Sequence, residues 1–214
     1  MGNIFDIFKE ISTSKQEMSA PVTHLIVGLG NPGNSYHNTR HNAGFLMMDY
    51  FSQRVGVKVD RLKFKALCGE TTLGGKHILL MKPQTLMNAS GIAVREAASF
   101  YKIPPENILV FSDDISLDVG RVRMRAKGSD GGQKGLRSII TEIGSDAFPR
   151  IRFGVGAKPH PDYDLAAWVL SEFTKEDQKK LFDAFIRSYE GILPFLAGDM
   201  ETAVRLCNAG AVNS

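Results

Sequence analysis

The chain has 214 residues, 43% of them hydrophobic, with 26 Lys and Arg against 23 Asp and Glu. That is enough for one core and one domain, and a net charge of +3 does not by itself announce a nucleic-acid binder. No apolar run reaches the ~18–20 residues of a membrane span, no basic-then-apolar leader opens the sequence, and two distant cysteines, Cys68 and Cys207, read as free thiols in a reducing cytoplasm.

Residues 1–21 read as an appendage. Ile4, Ile7, Phe8 and Ile11 fall on one helical face, Ser12 to Ala20 is polar, and Pro21 ends the stretch. Its polar face carries no basic cluster, which favours a short docked helix or a frayed end over a membrane-surface helix. The domain proper is 22–214. A first strand is expected over 22–28 and breaks into the turn residues Gly28, Gly30, Asn31, Pro32 and Gly33. These glycines spell G-x-G-x-x-G, and Asp49 lies near the spacing of a ribose-binding acid. A dinucleotide site also needs a helix N-terminus at the glycines. Here Pro32 to Ser35 hold a loop, and the helical pattern begins only near Asn42, so that reading is set aside.

A helix is expected over 42–55. A hairpin over 66–73 and 77–81 turns at Gly74-Gly75. Lys82 to Thr85 is read as a loop, followed by a helix carrying Ile92, Val94, Ala97, Ala98 and Tyr101, stopped by Pro104-Pro105. A buried strand at 108–111 ends on Asp113-Asp114. Arg121, Arg123 and Arg125 alternate with Val122 and Met124, as on a strand with one polar face. From Arg121 to Arg137 six bases, with Lys127 and Lys134 among them, face one acid, Asp130. A helix on Leu136, Ile139, Ile140 and Ile143, a strand over 151–155 and a last helix starting at Thr174, with Asp177 in capping-box position, complete the reading. Strands alternating with helices around one hairpin give an α/β domain with a mixed sheet and helices on both faces.

Polar groups gather at three strand ends or loops: Asn31 and His41, Asn88, and Asp113. A His with a carboxylate partner is the minimum for a general base, since the carboxylate fixes the tautomer and stabilises imidazolium. Asn amides hold carbonyls or donate to an oxyanion. No G-x-S-x-G elbow supplies a nucleophile, and no His spacing suits a metal. Physics alone therefore suggests His-activated water acting on a carbonyl beside a basic patch suited to phosphates. Each element also has a plain structural reading. His41 as a loop histidine, Asn88 as a helix cap, Asp113 or Asp114 as an Asx-turn, the arginine row as a solvated face and Gly131-Gly132 as a mere turn all stay open at this point.

Four stretches together resemble the signature motifs of bacterial-type peptidyl-tRNA hydrolases: G-L-G-N-P-G-x-x-Y-x-x-T-R-H-N-A-G at 28–44, K-P-x-T-x-M-N-x-S-G at 82–91, S-D-D-I-S-L-D-x-G at 112–120 and G-S-D-G-G-Q-K-G-L at 128–136. The resemblance spans about residues 22–205. It implies a single α/β/α domain with a mixed twisted sheet, monomeric and cytoplasmic, that cleaves the ester between a peptide and the 3′ ribose of tRNA without cofactor or metal. On the same basis His41 is the general base, Asp113 orients it, and Asn31 holds water or substrate beside it. Asn88 binds the peptide backbone near the scissile carbonyl, Tyr36 and Met87 line the peptide groove, and Arg123, Arg125 and Lys127 contact tRNA phosphates. The chain departs from the family at Gln133-Lys134, where a His-Asn pair is usual. Lys134 cannot accept a hydrogen bond as Asn does, which makes it a candidate for binding a substrate phosphate instead. The departure also leaves open an RNA-binding protein of the same fold without turnover.

Overall fold

The computed structural model describes residues 20–209; the helix expected over residues 4–11 lies outside them. Seven strands form one sheet: β1 (His24–Gly28), β2 (Arg61–Lys63), β3 (Ala66–Leu73), β4 (Lys76–Pro83), β5 (Ile108–Asp114), β6 (Val122–Arg125) and β7 (Arg150–Gly154), in the order β2-β3-β4-β1-β5-β7-β6. Among the described residues seven α-helices accompany it: α1 (Ala43–Arg54), α2 (Ser90–Tyr101), α3 (Lys134–Ile143), α4 (Leu165–Val169), α5 (Lys175–Glu190), α6 (Ile192–Leu196) and α7 (Met200–Asn208). The centre of the sheet is parallel, β1 pairing with β4 and β5, and β5 with β7. Antiparallel pairs close both edges. The Gly74-Gly75 hairpin makes one of those edges, with φ of 57° and 73° that favour glycine.

A strand buried on both faces needs apolar residues at every position, not alternate ones. β1 meets that condition and is buried throughout. Leu25 and Val27 join a cluster with Val94, Ala97, Leu136 and Ile139, so α2 and α3 cover that face. Ile26 joins Met47, Phe51, Leu181, Phe185, Phe195 and Ala203, so α1, α5, α6 and α7 cover the other. The expected α/β/α layering with a mixed sheet is what the chain forms. The two free cysteines are buried on opposite sides of the sheet, Cys68 with α2 and α3 and Cys207 with α5, α6 and α7.

Four features differ from expectation. Lys82 and Pro83 belong to β4 rather than to a loop, because Lys82 pairs with Leu67 and Pro83 with Ala66. β2 was not anticipated: it is a three-residue edge strand with every residue exposed, so no periodicity marks it. α4 carries no sequence signal either, being five residues with none buried. The helix capped by Thr174 is not the last, since α6 and α7 follow it and supply Ile192, Phe195, Leu196, Ala203 and Cys207 to the core.

Candidate active site

Parallel strands deliver their carboxyl ends to one edge of the sheet, the usual ligand edge of an open α/β fold. β1 runs there into Asn31, β4 into Met87 and Asn88, and β5 ends there on Asp113 and Asp114. His41 arrives from a 3₁₀ turn, Arg40–Asn42, that feeds α1. What lets this turn lie against the strand ends is Gly44. A Cβ there would stand 2.4 Å from the Phe111 carbonyl oxygen and 2.5 Å from the Leu29 nitrogen. Only hydrogen fits, so α1 starts directly on β1 and β5, and His41 comes beside Asp113.

His41 Nδ1 lies 2.8 Å from Asp113 Oδ2. Asp113 is buried, so its carboxylate takes the Nδ1 proton in a hydrogen bond and leaves Nε2 with the free lone pair. Burial alone would lower the His41 pKa; the charge and hydrogen bond of Asp113 outweigh it, Lys134 opposes them, and the balance lies above the ordinary 6.5. Asp113 does not form an Asx-turn. Its neighbour Asp114 does, accepting from the Ser116 N–H at 2.8 Å and its hydroxyl at 2.7 Å.

Asn31 is fixed by its own amide chemistry. Its backbone N–H donates to Asn42 Oδ1 at 2.8 Å, and its carbonyl accepts from Asn42 Nδ2 at 3.0 Å. Its side-chain Oδ1 accepts from the Met87 N–H at 2.8 Å. The Asn31 Nδ2 is left as a donor. Asn88 is exposed in the 3₁₀ turn Met87–Ala89 and makes no helix cap, which disposes of its plain structural reading.

These groups surround one cavity of about 570 Å³, lined by Asn31, His41, Met87, Asn88, Asp113 and Lys134, among others. That is room for a small organic substrate end. Leu86, Leu165 and Leu170 bring apolar surface to the rim at 60%, 44% and 40% exposure. Tyr36 is not part of the lining; it sits half-buried in the 3₁₀ turn Asn34–Tyr36, its carbonyl accepting from the Thr39 N–H and hydroxyl. Arg123 and Arg125 stand exposed on the edge strand β6 with Lys127 just beyond, outside the cavity.

Two residues were not anticipated at the site. Arg152 lines the cavity from β7, its Nε 3.1 Å from Asp114 Oδ2. Gln133 is buried at the N-cap of α3 and bonds Asp113 from the side opposite His41. Gln is outside the strongly preferred cap set, so only the apolar repeat of the helix that follows, from Leu136 on, could have pointed to it. Gly131 is held in the left-handed region with φ of 57°, and a Cβ there would stand 2.4 Å from the Arg152 guanidinium. A side chain at position 131 would therefore be strained in this loop.

Comparison with known proteins identifies the family and the fold. The family model described as "Peptidyl-tRNA hydrolase" matches residues 25–214. A peptidyl-tRNA hydrolase of Caldicellulosiruptor bescii is 49% identical over 189 residues, 88% of this chain and 98% of the relative. One from Caldanaerobacter subterraneus is 46% identical over 185 residues, 86% and 99% of the two chains. The crystal structure of peptidyl-tRNA hydrolase from Acinetobacter baumannii superposes with a TM-score of 0.83 at 32% identity, covering 90% of this chain and 98% of that one. With the family model matching nearly all of the domain and relatives this similar at nearly full length, the chain belongs to the peptidyl-tRNA hydrolase family.

Proposed function

We propose that the chain hydrolyses the ester joining a peptide to the 3′ ribose oxygen of tRNA, with His41 as general base. The observation that carries the reading is the 2.8 Å contact between His41 Nδ1 and buried Asp113 at a cavity lined by amide donors. His41 Nε2 takes a proton from water, and the oxygen attacks the ester carbonyl carbon. The bond from that carbon to the ribose oxygen then breaks, and the proton on His41 passes to the leaving 3′ oxygen. Asp113 holds the imidazole in its working tautomer and stabilises the imidazolium. Asn31 Nδ2 and the Asn88 amide donate to the peptide and to the developing oxyanion. An ester needs less activation than an amide, so water and a His base suffice without a covalent intermediate.

Leu86, Leu165 and Leu170 offer apolar contacts for the peptide, while Arg123, Arg125 and Lys127 offer cations to the tRNA backbone. Lys134, at the mouth of the same cavity, is a cation for the phosphate nearest the scissile ester. The enzyme acts as a monomer in the cytoplasm, and residues 1–21 are an appendage to its one domain. Binding of RNA without turnover is disfavoured, because such a role has no use for a buried carboxylate that orients a histidine.

The test is release of deacylated tRNA from an N-blocked aminoacyl-tRNA, with EDTA present and His41→Ala as control. Release by the natural protein alone supports the reading. Equal release by both refutes the role of His41, and binding without release returns weight to the RNA-binding alternative.

A further inference from the structure

We infer that Gln133 is a positioning residue for the His41–Asp113 pair, an inference that rests on the reading of His41 as general base. The amide orientation of Gln133 is set by its neighbours. Its Oε1 lies 2.8 Å from the Leu136 N–H, a group that can only donate. The oxygen must therefore face α3, and the NH₂ group must face the other way. There Nε2 donates to Asp113 Oδ1 at 3.0 Å, with Met87 Sδ at 3.2 Å from the same nitrogen. Gln133 is 7% exposed and Asp113 3%, so water does not compete freely for either.

The result is a continuous chain of bonds. The first turn of α3 fixes Gln133, Gln133 fixes one oxygen of Asp113, and the other oxygen fixes His41 Nδ1. A carboxylate held on one oxygen only can rotate about its Cβ–Cγ bond; held on both, it offers His41 a single acceptor direction. Gln has no charge to lose between pH 5 and 8, so this clamp keeps its donor across the range in which His41 titrates. A histidine in its place would bring a second titrating group to Asp113. The sequence departure thus leaves the pair with one titrating imidazole.

The alternative is that Gln133 is only a helix cap. Gln133→Ser separates the two roles, because a serine hydroxyl still accepts from the Leu136 N–H as a preferred helix cap but is too short to donate to Asp113. On positioning, Gln133→Ser keeps its thermal midpoint above that of Gln133→Met and loses at least tenfold in kcat. KM for the N-blocked aminoacyl-tRNA stays within about threefold, and the acid limb of kcat/KM moves to higher pH, since the positive N–H end of the amide no longer opposes imidazolium. Gln133→Met lacks both bonds and loses kcat as well as stability. In an Asp113→Asn background the Gln133→Met change costs little further rate, because the two act as one unit. Natural kcat and an unshifted limb in folded Gln133→Ser overturn the inference. Full additivity of Gln133→Met with Asp113→Asn does so too. Unimpaired turnover by His41→Ala overturns instead the reading on which the inference stands, so the two failures are distinct.

Discussion

At the scale of the residue, the site is governed by two opposite charges around one imidazole. A general base works when neutral, so kcat/KM falls as pH drops through the His41 pKa. Because Asp113 carries that pKa above 6.5 against burial and Lys134, the acid limb is expected at a midpoint above 6.5. Asp113→Asn removes the raising influence and leaves the lowering ones; its limb moves to lower pH and its plateau drops. Lys134→Met removes a lowering influence, and its limb moves to higher pH. A pH series of kcat/KM for the three proteins checks both signs. His41→Ala is expected to lose roughly 10²–10⁴-fold in turnover. Most of this was legible in the sequence, since His41, Asn31, Asn88 and Asp113 stand in recognisable motifs. Gln133 was not, because its partner Asp113 lies twenty residues earlier and nothing in a linear pattern ties an amide to a distant carboxylate.

At the scale of the element, what the sequence revealed was what burial on both faces enforces. The continuous apolar runs of β1 and β5 and the amphipathic repeat of α3 could be read directly. β2, α4 and α6 could not, because three to five residues carry no measurable period, and α6 even contains Pro194. The close approach at Gly44 was equally invisible, since a glycine in a loop motif reads first as a turn. Its steric meaning comes only from the neighbouring Phe111 carbonyl on β5. Gly44→Ala must displace either α1 or β5, at a cost of about 1–3 kcal/mol. Urea denaturation is expected to show a lower midpoint with an unchanged slope, and kcat falls with it because His41 rides on the same turn.

At the scale of the whole molecule, a net charge of +3 conceals a basic edge on β6. Arg125→Ala and Lys127→Ala are each expected to weaken tRNA binding and to reduce the slope of log K against log salt by about one if each meets one phosphate. A salt titration of binding for both variants checks it, and unchanged slopes place the tRNA on another face. Another molecular property follows from the two cysteines. Cys68 and Cys207 lie in separate cores, and burial pushes their thiols up to about 11 and about 12. Alkylation needs thiolate, so in the native protein both are silent until their layer opens. The chain therefore contains its own pair of clocks, one on each side of the sheet. Under mild urea, Cys207 on the terminal helix α7 is expected to be labelled before Cys68, whose strand β3 is bonded to β2 and β4. The interval between them, read by mass spectrometry, measures how far one layer comes apart while the other still holds the sheet.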